Sequence, residues 1–401
     1  MFDPASVRFR GPLALHVDGF WQELRRLGYS PLSAGNLLRV AAHLSRWLAD
    51  QSLGCGDITD ERAAAFMSHR RRRGYTQFLS LRALGPLLRY LRGIGVVLAP
   101  PPTVVSSPID RLVEDYAEHL ARARGLAAST IRGYRDFARR FIAERPAGTR
   151  LKWEQLTPAD ITDFVLREAR RWSVGQVKHE VTALRSLLRY LHADGRIRSD
   201  LAGCVPAVAG WRLAGLPKAL EPDQVRRLLQ SCDLRSATGL RDAAIVRLLL
   251  RLGLRAGDVA ALALDDLDWR AGEIVLRGKG RHESRLPLPR DVGRVLAAYL
   301  RRGRPPTTSR RVFLRSRAPF TPLTTGGVIA AVRYALRRAG LSGGAHLLRH
   351  TAATQMLRRG ASLPEIGHVL RHRHLDTTAI YAKVDFAALR TLAQPWPGGA
   401  A

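Results

Sequence analysis

The pentapeptide LLRYL occurs twice, at 87–91 and at 187–191, and each copy sits in a longer similarity. "LRALGPLLRYLRGIG" (81–95) matches "VTALRSLLRYLHADG" (181–195). Upstream, "DITDERAAAFM" (57–67) parallels "LTPADITDFVL" (156–166), and "LSAGNLLRVAAHLSRWL" (32–48) parallels "ASTIRGYRDFARRFI" (128–142). A recurring pattern of this kind means that one structural unit is folded twice. Each copy reads as several short amphipathic helices. Leu184, Leu187, Leu188 and Leu191 follow i, i+3, i+4, i+7 spacing, so they form a stripe that buries. The arginines beside such stripes, including the run Arg70–Arg73, are expected to face outward, as a solvated face or as contacts to phosphate.

Two irregular stretches divide the chain. "APPPTVVSSP" (99–108) is a Pro/Ser linker, and "GCVPAVAGWRLAGLPKAL" (203–220) is rich in glycine and carries two prolines. They delimit three pieces: 1–98, 108–200 and 217–395. The third is mixed. Helices are expected over 222–230 and 241–253, then a β-hairpin in "GEIVLRGKGRHESRLPLP" (272–289). Helices resume over 290–302, 325–339, 345–358, 363–371 and 377–392. The fold class is mainly α with a small antiparallel sheet.

The charge narrows the partner. Lys and Arg number 65 against 34 Asp and Glu, a net charge of +31. Lysine stands only at 152, 178, 218, 279 and 383, so the charge is almost all arginine. A GC-rich genome explains arginine over lysine, but not base over acid. The excess points to a polyanion, most simply nucleic acid, with an acidic membrane surface as the weaker alternative. Cys55, Cys204 and Cys232 have no paired spacing, which argues against a disulfide framework or a structural zinc site. The N-terminal stretch has no apolar signal core, and no apolar run nears about 18 residues. The reading is a soluble, cytoplasmic, nucleoid-associated protein without a cofactor.

Four stretches of the third piece carry candidate chemistry. "GLRAGDVAAL" places Arg255 and Asp258 three apart on a helix, where the carboxylate can orient the guanidinium or merely form a surface pair. "GAHLLRHTAATQML" sets His346, Arg349 and His350 on one helical stripe, opposite apolar Leu348, Ala352 and Met356. Zinc competes for clustered histidines, but no Glu or Cys completes a familiar set. "GASLPEIGHVLRH" carries a capping box, Ser362 with Glu365, and ends at His372. Asp376 can then cap a final helix bearing Tyr381, which stands among small and polar residues rather than aliphatic ones.

Arg255, Lys279, His346, Arg349, His372 and Tyr381 suit one reaction: breaking a DNA phosphodiester with a side-chain oxygen instead of water. Two guanidinium groups hold the non-bridging oxygens. A tyrosine attacker needs a cationic setting and a base, since its ordinary pKa is about 10. Histidine titrates in the range required. A lysine on a hairpin tip can protonate the leaving oxygen.

Over about 215–390 the chain resembles the tyrosine recombinase (phage integrase) family. "GLRAGDVAAL" looks like its first arginine box and "GKGRHESRLPL" like its hairpin with the lysine acid. "HLLRHTAAT" looks like its second box, and "LRHRHLDTTAIYAKV" like its last, nine residues separating His372 from Tyr381. The piece 108–200 resembles the family's helical (SAM-like) core-binding domain, and 1–98 is a further copy of it, with a DNA-facing or a protein-docking role.

The resemblance implies that Tyr381 makes a 3′-phosphotyrosine. Arg255 and Arg349 hold the phosphate and Lys279 serves as acid. His346 accepts the phenolic proton, His372 donates to the phosphate, and Asp258 supports the site. Arg281, Arg285, Arg371, Arg132, Lys178 and Arg185 are expected at the DNA. The implied partner is double-stranded DNA at specific recombination sites. The implied assembly is a homotetramer, or a hetero-tetramer with related recombinases, that passes through a Holliday junction for a mobile element. The tail after Tyr381, with Phe386, Leu389 and Leu392 at apolar spacing, packs on a neighbouring protomer or folds back.

Two positions depart from the family: Arg371 replaces a usual glycine before the histidine, and Asp258 replaces a usual glutamate. A type IB topoisomerase-like activity, a catalytically silent DNA-binding accessory protein and a metal nuclease are the rival readings.

Overall fold

Short polar side chains set the helix starts. In the computed structural model the Ser30 hydroxyl accepts from the Ser33 N–H at 3.2 Å, with Pro31 in the first turn, and opens α2 (Pro31–Ala49) after α1 (Val17–Arg26). Thr59 opens α3 (Asp60–Arg72) in the same way. Pro86 confines α4 (Gly85–Gly93) to a short helix, because proline fits only the first turn. The structure describes residues 7–98, 107–144, 152–209, 216–277, 283–372, 374, 377–384 and 389. By its contacts the chain divides into two compact units, 1–99 together with 215–401, and 100–214.

In the first repeat, Phe20, Leu24, Leu38, Leu48, Phe66 and Leu91 build the core among α1–α4. One expectation fails here. Arg70, the first of the arginine run, is only 4% exposed, whereas Arg71, Arg72 and Arg73 do face outward. A period of 3.6 carries the first of four consecutive residues back onto the inner face of α3, beside Phe66 and Met67.

In the second repeat, α5 (Pro108–Arg122), α6 (Ala128–Ala143), α7 (Pro158–Arg171) and α8 (Val174–Ala193) surround the expected leucine stripe, all four members of which are fully buried. Thr157 and Asp160 form a capping box at the start of α7. Arg132 and Lys178 are exposed on α6 and α8. Arg185 is half-buried and donates to the Val205 carbonyl at 2.8 Å, tying α8 to the segment that follows it.

The third piece begins with α9 (Pro222–Gln230) and α10 (Ala237–Leu252). The latter is enclosed on nearly every side, and its buried Arg241 and Asp242 pair with each other at 2.8 Å. After α11 (Ala256–Ala261) come β1 (Leu267–Asp268), β2 (Glu273–Arg277) and β3 (Glu283–Pro287), an antiparallel sheet in the order β1-β2-β3. The hairpin expected from sequence is β2 and β3, with Ile274 opposite Leu286; β1 is an addition that sequence pattern did not mark. Then follow α12 (Arg290–Ala298), widening to a π turn over Tyr299–Gly303, α13 (Thr325–Arg338), α14 (Ala345–Arg358) and α15 (Leu363–Val369). The start of the expected final helix is a 3-10 turn over Ala379–Val384; Leu389 is helical, and the other residues of 385–392 lie outside the described residues. Asp376, its expected cap, and most of the tail, Phe386 and Leu392 included, lie outside the described residues.

The first repeat and the third piece meet within one unit. The Phe320 N–H donates to the Leu27 carbonyl at 3.2 Å, and its ring occupies the space a side chain on Gly28 would need. Gly28 also has φ +84°, so glycine is required there on two counts.

Candidate active site

Arg349 projects from the first half of α14 into the protein and is 6% exposed. It donates to the Gly253 carbonyl and, at 2.5 Å, to the Leu370 carbonyl. Gly253 sits just past the C-terminus of α10 in the left-handed region, φ +60°, which turns its carbonyl toward α14. A guanidinium has five N–H donors, so these two bonds leave others for a ligand. Burial, with the Arg255 charge beside it, pulls the Arg349 guanidinium down to about 10.

Arg255 is the residue just before α11, not a member of that helix, and its side chain is exposed. Its guanidinium donates to the Arg371 carbonyl at 3.1 Å. The two arginines thus hang on consecutive carbonyls, Leu370 and Arg371. The end of α15 makes this possible. The His372 N–H donates to the Gly367 carbonyl at 2.9 Å and the Arg371 N–H to His368 at 3.0 Å, with Arg371 at φ +52°. That is a Schellman ending, whose left-handed position is usually glycine. The left-handed backbone costs an ordinary residue roughly 1–2 kcal/mol.

Asp258 offsets that cost. Its carboxylate forms an ion pair with the Arg371 guanidinium, largely shielded from solvent. It also accepts from the Arg255 backbone N–H at 3.1 Å. The expected side-chain pair between Arg255 and Asp258 is therefore replaced. Starting α11 at Ala256 makes Asp258 an N-terminal cap, and its remaining oxygen valence goes to Arg371, a partner 113 residues on.

Tyr381 is 2% exposed and packs with Ala353, Leu357, Ile366 and Leu370. Its small and polar sequence neighbours do not define its surroundings; apolar residues from α14 and α15 do. Its hydroxyl lies 2.8 Å from Nδ1 of His350, to which it is hydrogen-bonded. Burial pushes the phenol up to about 12, against the opposing pull of the Arg349 charge. His350 is lowered by burial and then by the charges of His346 and Arg349, so it is neutral at pH 7. The family resemblance assigns the phenolic proton to His346. That ring is exposed, its centroid 6.1 Å from His350, and the residue bonded to the phenol is the one a helical turn further on. The stripe of His346, Arg349 and His350 held the signal; choosing between the two histidines needed the position of Tyr381.

His372 stands just beyond α15, with Nδ1 at 2.7 Å from the Thr378 hydroxyl. Burial, then the charges of Arg349 and Arg255, lowers it to about 4. His346, Arg255 and Arg349 border an open cavity of about 460 Å³, which Leu254, Thr325 and Ile329 also line. Lys279 and Arg281 lie outside the described residues. Arg285, on β3, is exposed and faces Glu273 at 3.4 Å. Among the described residues, no three His, Cys, Asp or Glu side chains form a metal-binding group. Nor is any helix long and apolar enough to cross a membrane.

The arrangement gathers fixed positive charge around a cavity, with Asp258 the one carboxylate in its hydrogen-bond network among the described residues. Such a site takes an anion with several acceptor oxygens, and a phenol waits beside it on the same chain.

Comparison with known proteins identifies the class. Residues 218–388 match the phage integrase family and 113–195 match its N-terminal SAM-like domain. A Sinorhizobium fredii protein named as an integrase/recombinase, y4rA, is 44% identical, across 97% of this chain and 96% of its own. The tyrosine recombinase XerD of Listeria monocytogenes is 32% identical over 68% of this chain and 94% of its own. The solved structure of the XerH site-specific recombinase on a palindromic difH substrate shares the fold. It has a TM-score of 0.52 and 18% identity, over 91% of this chain and 97% of that one. The chain belongs to the phage integrase family and is a tyrosine recombinase.

Proposed function

We propose that this recombinase cuts and rejoins double-stranded DNA at specific sites with Tyr381 as nucleophile. Arg255 and Arg349 hold the two non-bridging oxygens of the scissile phosphate in the cavity they border. Tyr381 oxygen bonds to phosphorus while the phosphorus–5′-oxygen bond breaks, leaving a 3′-phosphotyrosine and a 5′-hydroxyl. Neutral His350 accepts the phenolic proton. Lys279, by the family resemblance, gives a proton to the departing 5′-oxygen. His346 and His372 supply further donors to the phosphate. The reverse reaction, with a 5′-hydroxyl of another strand as attacker, rejoins the backbone without a nucleotide cofactor. By the same resemblance, four protomers exchange strands through a Holliday junction, in the service of a mobile element.

One observation carries this reading. Both guanidinium groups are fixed on adjacent carbonyls, and a buried tyrosine of the same chain lies within reach of the Arg349 charge. Burial of Tyr381 also implies that the 3-10 turn moves before attack. DNA sites are selected from a random-sequence pool with the full-length protein and rebuilt as nicked suicide duplexes. Wild type is expected to form a covalent complex stable to denaturant; Tyr381→Phe is expected to bind the same duplex and form none. Covalent capture by Tyr381→Phe excludes the assignment.

His350 and His372 set a pH dependence. Both are depressed below the ordinary value of about 6.5. A depressed histidine favours the neutral folded form, so its contribution is complete above about pH 6.5 and fades as pH falls toward about 4. Thermal unfolding of the DNA-free protein is expected to show lower stability at pH 5 than at pH 7, with the difference reduced in His372→Asn. An unchanged difference in that variant removes His372 from the account.

A further inference from the structure

The N-terminal repeat holds a buried cation that no carboxylate among the described residues neutralises. Arg70 is 4% exposed, and among the described residues no carboxylate comes within ion-pair distance of it. The reason is visible in the sequence: neither 24–49 nor 62–98, the stretches that surround it, contains a single Asp or Glu. Its guanidinium makes neutral contacts only. It donates to Nδ1 of His43 at 2.7 Å and to the Gln77 carbonyl at 3.3 Å, and lies 4.2 Å from the centre of the Tyr75 ring. Its Nε–H is buried with no acceptor. Burying a charge is costly unless it is paired, and structural buried arginines satisfy this with an acid.

Arg70 also floors an opening. Asn36, Arg39 and His43 from α2 and Arg70, Tyr75 and Gln77 line a cavity of about 360 Å³, with Arg71–Arg73 exposed nearby. Because Arg70 donates to Nδ1, His43 is held as the tautomer that carries its proton on Nε2, a further donor. Burial, then Arg70 and Arg46, lowers His43, so it presents that proton as a neutral group. The cavity therefore offers donors and positive charge with no internal anion.

We propose that this cavity is a phosphate-binding site of the first repeat, which takes a backbone phosphodiester of the DNA duplex outside the catalytic cavity. The proposal rests on the DNA reading given above. A tetrahedral anion with several acceptor oxygens suits the converging Arg70, His43 and Arg39 donors, and the wholly basic surroundings repel nothing on a continuous polyanion.

The test uses the full-length protein and a 50-base-pair random-sequence duplex, with affinity measured against KCl concentration. Each phosphate contact adds about 0.9 to the slope of log affinity against log salt. Wild type is expected to give a steep slope; Arg70→Met should reduce it by about one and weaken binding about tenfold near 0.1 M salt. His43→Gln, at a half-exposed position that tolerates change, should weaken binding by a smaller factor and serves if Arg70→Met fails to fold. Inorganic phosphate should raise the melting temperature of wild type above that in KCl of equal ionic strength, and not that of Arg70→Met.

A flat wild-type slope sinks the DNA reading itself. A steep wild-type slope that neither variant alters overturns this site alone. Loss of self-association by Arg70→Met in sedimentation, with the DNA slope intact, also overturns it, because the cavity then receives a carboxylate of another protein chain.

Discussion

In the first repeat Leu87, Leu88 and Leu91 are buried and Arg89 is exposed; in the second, Leu187, Leu188 and Leu191 are buried and Arg189 is exposed. The shared pentapeptide therefore does the same packing in both. Around it the repeats diverge. α4 is limited to nine residues by Pro86, whereas α8 runs for 20 from the Ser173 cap. The treatment of buried charge is opposite. In the second repeat Glu168 and Glu180, 3% exposed each, face Arg140 at 3.6 and 2.8 Å, with Trp172 and Gln176 donating as well. In the first, Arg70 has a histidine, a carbonyl and an aromatic ring. Equivalent apolar patterning thus gives two similar cores, one charge-balanced within itself and one not. An internally balanced core needs no ligand; an unbalanced cation reserves its charge for one.

The comparison can be broken at its common part. Leu91→Ala and Leu191→Ala each remove a fully buried side chain, and each should cost about 2–5 kcal/mol. Hydrogen exchange on the full-length protein, localised to α4 or α8, should show both losses. A silent Leu91→Ala would mean that the first repeat does not use the stripe as the second does. The divergent part gives a smaller effect. Arg140→Met leaves the buried Glu180 carboxylate without its cation, while Glu168 keeps Arg171 at 3.4 Å, and should cost about 2–3 kcal/mol, with exchange quickening in α7 and α8. Smallest, and opposite in sign, is Arg70→Met: removing an unpaired buried cation should leave thermal stability unchanged or raise it by about 1 kcal/mol. A loss as large as that of Arg140→Met would make Arg70 a structural residue and the two repeats alike.

Much of the site was legible because its signals are local. Four boxes in order marked Arg255, Arg349, His372 and Tyr381 as candidates, which the fold brings near one another, and the capping box at Ser362 and Glu365 forms as the sequence indicates. The pairings that differ from the local pattern depend on residues distant in sequence. Arg371, flagged as an odd substitution for glycine, does occupy the left-handed position. That its guanidinium would take Asp258 away from Arg255 required bringing α11 and the end of α15 together. Likewise, the preference of the phenol for His350 over His346 follows from where the last turn settles on α14.

The sequence by itself determined the repeat, most of the helices, the hairpin, the basic character and which side chains are candidates for the reaction. These follow from periodicity, turn chemistry and charge, which each short stretch carries alone. Tertiary structure decided which arginine of a run is buried, which histidine meets the tyrosine, and which carbonyls hold the two guanidinium groups. Every residue has the same carbonyl and every arginine the same fork. Only the folded path of the chain determines which of them converge, and which charge is left without a counterpart.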